Sequence, residues 1–419
     1  MSAAAPVHVV VLSSLFPSKV QPGAGLFIRE RMFRVGQRLP LAVVAPTPWF
    51  PLQSWVRRWR AGFRPGAPAH ERQADHDVWF PRFFSCPGVL KRLDGLAMAI
   101  AAWPRLRALK RAGRLDVLDA HFAYPDGLAA TLLGRWLQVP VTITMRGTET
   151  RHAADSALRP LLARALHSAD RVFAVSESLR QVALGLGVAP GKVRVVGNGV
   201  DLARFKPVDR AQARAALGLP LEAPVLISVG GLCERKGFHR VIDSLPGLHA
   251  LGLPVHLLVV GGPSPEGDWT SRLHALVQSL ALQPFVHFLG PVRPDELPGL
   301  LGAADVFALA TRNEGWANVF LEAMACGLPV ITTNVGGNAE VVCRPELGRV
   351  VPFDDGPALQ AALCAALGQA WDRPLIRAYA EANTWDQRVE VLEAEFRALC
   401  GTGGTSMAPA ASTGAVGPR

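Results

Sequence analysis

The stretch Asn313-Glu314-Gly315-Trp316-Ala317-Asn318-Val319-Phe320-Leu321-Glu322-Ala323-Met324-Ala325-Cys326-Gly327-Leu328-Pro329-Val330 reads as a loop, a helix stopped by Gly327, and a Pro-led apolar strand. A helix running into a buried-type strand is the repeating unit of a parallel α/β sheet. Glu314 and Glu322 stand eight residues apart. That is a little over two helical turns, so a loop glutamate and a helix glutamate can face one ligand. Carboxylates only accept hydrogen bonds, which suits them to paired hydroxyls on a sugar or a ribose. The helix start between them offers free N–H groups and a positive dipole end, which suits a phosphate. Glutamates at this spacing also occur on ordinary solvated helices, and it is the ordered sequence of loop, helix start, Gly stop and strand that separates this pair from them. Such a site can hold a hydroxyl-rich group on each side and a diphosphate between, which describes a nucleotide sugar.

The same alternation extends in both directions. Val7–Leu12, Leu41–Ala45, Val117–Ala120, Val141–Thr144, Arg171–Val175 and Val193–Val196 are short β-branched runs with helical patterns between most of them. A second series follows at Pro224–Val229, Val255–Val260, Phe285–Phe288, Val306–Ala310 and Pro329–Thr332. The fold class is therefore α/β, with two Rossmann-like, doubly wound parallel-sheet domains facing a cleft. Residues 1–200 form the first domain and 201–383 the second, joined through the turn-rich segment Asn198–Pro207. A helix over 384–400 is expected to pack back on the first domain. Residues 401–419, rich in Gly, Ala, Pro, Ser and Thr, are expected to be disordered. The apolar helix pattern Leu93–Trp103 stops at Pro104 and is too short to cross a bilayer.

The 419 residues are 49% hydrophobic and 19% charged, a globular composition. Six cysteines fall in no metal-ligand spacing, and with no signal-peptide pattern they read as free cytosolic thiols. The net charge of +10 is unevenly placed. Residues 1–200 carry 27 Lys and Arg against 12 Asp and Glu, while the remainder carries 17 against 22. The basic half points to an anionic partner, such as a membrane surface or a phosphorylated acceptor. Within it, Trp55, Trp59 and Phe63 are four apart, a helical stripe, beside Arg57, Arg58, Arg60 and Arg64. That composition suits an anionic membrane interface. Nucleic acid would use the same residue types, but no recognition module accompanies them, and none is expected as a partner.

Several motifs together resemble the retaining, metal-independent glycosyltransferases of GT-B fold, family four, also described as glycosyl transferases group 1. Glu314 to Val330 resembles that family's signature. Ser228-Val229-Gly230-Gly231-Leu232-Cys233-Glu234-Arg235-Lys236-Gly237 resembles its diphosphate loop, Val335-Gly336-Gly337-Asn338-Ala339-Glu340 the segment after its next strand, and Asn198 to Asp201 its interdomain motif. Leu15-Phe16-Pro17, Gly23 to Phe27 and His121 to Gly127 resemble members that build bacterial surface polysaccharides. The resemblance spans the chain to about residue 400.

By that resemblance the protein transfers a sugar from a nucleoside diphosphate sugar to a glycan or lipid-linked acceptor. It would need no cofactor or metal and would act in the cytoplasm, peripheral at the inner face of the cell membrane. Glu322 would bind the ribose and Glu314 the donor sugar. The backbone N–H groups of Trp316, Ala317, Asn318 and Val319 would hold that sugar or its phosphate, and Lys236 would meet the diphosphate. Gly23 and Gly25 would approach the phosphates across the cleft, and His121 would stand near the transferring sugar. Asp126 and Arg146-Gly147-Thr148-Glu149 are acceptor-side candidates, or else caps and turns. The glycine run lacks the third glycine of a dinucleotide fingerprint, with Ile28 in its place, which argues against a dehydrogenase. One departure from the family is Gly231, where an arginine usually stands. Arg235 either supplies the missing cation or is a solvated neighbour. Two alternatives stay open at this point: a GT-B nucleotide-sugar isomerase (epimerase), and a non-catalytic sugar-binding assembly subunit.

Overall fold

The structure, a computed structural model, describes residues 6–59, 63–264 and 266–401. Sixteen strands occur among these residues: β1 Val9–Leu12, β2 Leu41–Val44, β3 Thr47–Trp49, β4 His70–Gln73, β5 His76–Trp79, β6 Arg82–Phe84, β7 Val117–His121, β8 Val141–Met145, β9 Arg171–Ala174, β10 Val193–Val195, β11 Val225–Val229, β12 His256–Val260, β13 Val286–Gly290, β14 Val306–Leu309, β15 Val330–Thr333 and β16 Gly348–Val351. The first sheet has the order β10-β9-β8-β7-β1-β2-β5-β4, and the second β13-β12-β11-β14-β15-β16. Only β4, paired with β5, runs antiparallel in either sheet. Both are doubly wound sheets, as the two strand series imply.

The apolar runs form strands because both sheet faces are covered. β1, β2, β7, β8, β14 and β15 are buried along their whole length. The order reverses beside β1 in the first sheet and beside β11 in the second. Ligands of open α/β sheets bind outside the carboxyl ends at such reversals. These ends carry Ser13–Gly25 and His121 on one side, and Gly230–Gly237 and Ala310–Ala317 on the other.

Five strands escape the sequence reading. β4 and β5 spell His-Glu-Arg-Gln and His-Asp-Val-Trp, polar because they form a hairpin at the sheet edge. β16, Gly-Arg-Val-Val, is likewise an edge. β3 and β6 continue the β2–β5 ladder past its carboxyl end, Thr47 facing Arg82. The helix expected to stop at Pro104 instead runs from Asp94 to Arg111. The carbonyl four residues before Pro104 belongs to Ile100, which faces solvent, so the lost hydrogen bond leaves that carbonyl to water.

The chain crosses between the sheets twice, side by side. Val200 donates to the Asn383 carbonyl at 3.1 Å and pairs with Thr384. The helix Trp385–Leu399 that follows packs on the first sheet, where Val389, Leu392 and Phe396 join Val9, Val11 and Val43. Glu395 fixes its register, reaching Arg171 at 2.8 Å and Arg194 at 2.7 Å. Residues 402–419, where a disordered tail is expected, lie outside the described residues.

Phe396 is fully buried edge-to-face on Phe173, with ring centres 6.2 Å apart. Phe396→Ala should cost about 3–5 kcal/mol. Urea unfolding checks this, and a loss below about 1 kcal/mol would mean the helix is not part of that core.

Candidate active site

β11 ends in Gly230-Gly231, and the chain makes a single turn, Glu234–Lys236, before the helix Phe238–Ala250. That turn aims two cations at the loop after β14. Lys236 Nζ lies 2.6 Å from a Glu314 oxygen, and Arg235 lies 3.2 Å from the same atom. Arg235 also donates to the Asn313 carbonyl at 2.7 Å and grips Glu266 through two bonds of 2.5 and 2.7 Å. Glu314 is 12% exposed. Burial alone would raise its carboxyl, but the Lys236 and Arg235 charges outweigh burial and hold it below the usual carboxylate range. Two cations and two carboxylates thus balance in one cluster.

Arg235 is therefore no solvated neighbour: it shares Glu314 with Lys236. Gly231 leaves no room for the family's arginine. A Cβ there would stand 2.7 Å from Ser264 Cβ, because the loop after β12 folds over the glycine.

Glu322 has a contrasting environment. It sits on the helix Asn318–Ala325, half-buried, and its carboxylate makes no hydrogen bond or ion pair with any other described residue. Burial pushes its carboxyl up to about 7; Arg204 opposes the rise and Glu30 adds to it. No side chain caps the helix it stands on, so the leading N–H groups keep the electropositive character of a helix start.

On the first domain, Gly25 takes φ 67° at the start of the helix Leu26–Gly36, where a Cβ would meet the Leu15 carbonyl at 2.3 Å. Gly23 is exposed, with open space around it. Phe27 lies with its ring 5.2 Å from the Arg146 guanidinium. Arg146 donates to His121 Nδ1 at 3.0 and 3.2 Å and to Asn198 at 2.9 Å. Asn198 then donates to Asn318, at the start of the second-domain helix, at 2.7 Å.

His121 ends β7, at the carboxyl end of the sheet where the resemblance puts it. Its ring has no exposed surface. Nδ1 accepts from Arg146, so Nε2 carries the proton; it lies 3.2 Å from Asp119 without hydrogen-bonding to it. Burial and the Arg146 charge lower His121 to about 4. The neutral ring accepts from the Arg146 guanidinium and holds it in place. Asp126 and Glu149 are buried structural groups as well. Asp126 holds Ser14 through backbone and hydroxyl. Glu149 accepts from the amides of Ala123, Arg146 and Gly147 at 2.8 to 3.0 Å.

The two domains meet by backbone contact. A Cβ on Gly315 would lie 2.3 Å from the Arg146 carbonyl, and Trp316 packs against Gly197 and joins the apolar clusters of both domains. Asn198 and Glu266 are site neighbours that sequence reasoning did not single out. Asn198 lies in a legible turn-rich segment, whereas nothing around Glu266 marks it.

Carboxyl-end loops of two doubly wound sheets, facing each other over glutamates and cations, define a glycosyltransferase of GT-B architecture. Sucrose-phosphate synthase from Thermosynechococcus elongatus shares the fold with TM-score 0.75 and 22% identity, over 94% of this chain and 99% of that one. Anabaena Alr3699/HepE, solved in complex with UDP and glucose, does so with TM-score 0.70 and 18% identity, over 93% and 100%. The sequence model described as glycosyl transferases group 1 matches residues 209–379, and that of glycosyltransferase family 4 matches 60–204. A D-inositol 3-phosphate glycosyltransferase of Actinosynnema mirum is 33% identical over 70% of this chain and 74% of its own length. TuaC of Bacillus subtilis, named for teichuronic acid biosynthesis, is 29% identical over 79% and 82%. The chain belongs to the group 1, family four glycosyltransferases.

The packing at Gly231 is checkable. Gly231→Ala should cost about 1–3 kcal/mol by overpacking, and Ser264→Gly in the same chain should restore most of it. Thermal unfolding that leaves Gly231→Ala unchanged would contradict the placement of the Ser264 loop.

Proposed function

We propose that this glycosyltransferase takes its sugar from a nucleoside diphosphate sugar, retains the anomeric configuration, and needs no resident metal or cofactor. The acceptor is a glycan or lipid-linked sugar. The observation that carries this reading is Glu322: a half-buried carboxylate with no partner among the described residues, next to an uncapped helix start. It calls for a ligand with two adjacent hydroxyls and a phosphate, and a ribose diphosphate has both. Relatives named for sugar transfer, and a fold neighbour solved with UDP and glucose, point the same way.

Glu314 then takes the hydroxyls of the donor sugar. The backbone N–H groups of Trp316, Ala317, Asn318 and Val319 hold its phosphates. Gly23 and Gly25 bring the first-domain loop up to them. When the diphosphate arrives, Lys236 and Arg235 turn from carboxylates to phosphate, Arg235 releasing the partly exposed Glu266. Their fixed positive charge faces the phosphate on which negative charge develops as the sugar leaves it, where electrostatic stabilisation is strongest. The departing phosphate oxygen takes the acceptor proton on the face it leaves, which keeps the configuration. Closure excludes the water that would otherwise hydrolyse the donor.

A panel of nucleotide sugars in thermal shift, followed by acceptor-dependent release of nucleoside diphosphate, tests this. Conversion of the donor without acceptor would replace the reading with the isomerase, and binding without turnover with the assembly subunit. Glu322→Ala should weaken donor binding at least tenfold, and Glu314→Ala should mainly lower turnover. The donor's hydroxyls favour ionised Glu322, so affinity should fall about tenfold per pH unit below 7 and level off above it. Calorimetry across pH reads this, and Glu322→Gln should flatten the profile; a flat wild-type profile would remove Glu322 from the site.

Peripheral contact with an anionic membrane at the cytoplasmic face is the second part of the proposal. The expected aromatic stripe is shorter than its spacing implies: the helix is Gln53–Trp59, and Phe63 turns to Phe50, ring centres 6.2 Å apart. Arg60 lies outside the described residues. Trp55 and Trp59 are 60% and 78% exposed, beside exposed Arg58. Leu90, Leu93 and Arg92 are exposed on the segment after β6, which pairs with β3 ahead of that helix. Both segments extend from the carboxyl end of the first sheet, on the cleft side. No described helix is long and apolar enough to cross a membrane. Arg57 donates to the Phe63 and Arg64 carbonyls and shapes the loop, so Arg58 and Arg92 are the residues to change. Arg58→Glu with Arg92→Glu should weaken binding to anionic vesicles by at least about 2 kcal/mol. Flotation equal to wild type would count against the membrane contact.

A further inference from the structure

Glu340 stands on the short helix Asn338–Val341 of the second domain. Its two oxygens accept from the backbone N–H groups of Glu177 at 2.6 Å and Ser178 at 2.9 Å. These residues open the helix Glu177–Gly185 of the first domain. Ser176 caps the same helix from within the first domain, accepting from the Leu179 N–H. A carboxylate at a helix start gains from the unsatisfied N–H groups and from the dipole. Glu177 does not supply that charge itself, because its side chain turns to Arg180 and Gln181 at 2.8 and 2.6 Å.

The segment that carries Glu340 is also fastened to Glu314. The Gly337 N–H donates to the Glu314 carbonyl at 3.2 Å. A Cβ at Gly336 would stand 1.7 Å from that same oxygen, and one at Gly337 3.0 Å from Ser176 Cβ. Gly336 thus lies against the second domain's own Glu314 loop, and Gly337 lies against Ser176 of the first domain with little room for a side chain. Glu314 and Glu340 consequently move as one piece.

We propose that Glu340 is a positioning residue, a helix cap supplied across the cleft that latches the domains and sets Glu314 against the first-domain loops. It reaches no donor atom itself. The inference rests on the reading of the cleft as the transfer site, and its primary readout is domain closure, which is independent of that reading.

Small-angle scattering of the full chain without ligand, with a fluorophore pair spanning the domains, reads the closed-to-open ratio. Glu340→Ala should lower that ratio roughly 5- to 30-fold, the range of one helix cap. Glu340→Gln, which keeps an acceptor oxygen and loses the charge, should fall between. Glu177→Pro approaches the latch from the other side. Proline is tolerated at the first helical position, and it deletes one of the two N–H groups. It should open the molecule in the same way, and the double variant should be no more open than Glu340→Ala alone. In turnover, kcat should fall several-fold while the KM for donor, held by the second domain, stays near wild type. Unfolding temperatures of each domain control for misfolding. Wild-type closure in Glu340→Ala, or additive opening in the double variant, would overturn the latch. Failure of sugar transfer with closure still responding would overturn only the activity.

Discussion

Glu314 organises the centre of this molecule through one constraint: a largely buried carboxylate must stay charged. Lys236 and Arg235 meet that need, and both come from one turn after β11. The turn's position is fixed in its turn by the reversal of strand order beside β11, which opens a crevice between the loops of β11 and β14. Once Glu314 is held there, its neighbours follow. Gly315 lies against the Arg146 backbone, Trp316 enters the other domain's core, and the Glu314 carbonyl anchors the loop that bears Glu340. Four features of one loop thus tie the site's electrostatics to the contact between domains.

The first domain answers with buried cations. Arg31, on the helix Leu26–Gly36, donates to the Val196 carbonyl at 3.2 Å, Arg146 follows β8, and burial lowers both. Asp119 is the carboxylate between them, already bonded by Thr142 at 2.6 Å. Burial keeps His121 neutral, and the Arg146 and Arg31 charges add to it, since a charged imidazolium would be a third cation in a closed space.

Most of the architecture was legible because it rests on the simplest physical signal. Strands buried on both faces cannot hide, and β1, β7, β8, β11 and β14 are near-continuous apolar runs. The strands that escaped notice are edges or ladder extensions, whose second face or outer side meets water and needs no apolar residue. Pro104 misled for a related reason: a proline breaks a helix only where the freed carbonyl has no other partner, and exposure is not written in a window of sequence. In the site, Glu314, Glu322 and Lys236 could be singled out because chain-local motifs carry them. His121 sits at the expected strand end, yet its direction depends on Arg146, 25 residues further on. Glu266 and the reach of Glu340 depend on partners 31 and 163 residues away, and no local pattern encodes such pairs.

The two glutamates illustrate how position on the fold assigns chemistry. They share a residue type and a single short segment, yet their carboxyls are driven in opposite directions, one down by two cations and one up by burial. Cations gathered at one carboxylate can turn to an arriving diphosphate only if the buried carboxylate they leave is met by other donors, and the hydroxyls of a sugar are such donors. A carboxylate without partners gains most from neutral donors, and hydroxyls are such donors. On the proposed reading, the central diphosphate of a nucleotide sugar meets the turn after β11 and its ribose the helix Asn318–Ala325, so that the separation along one loop and one helix would set the direction in which the donor lies across the cleft.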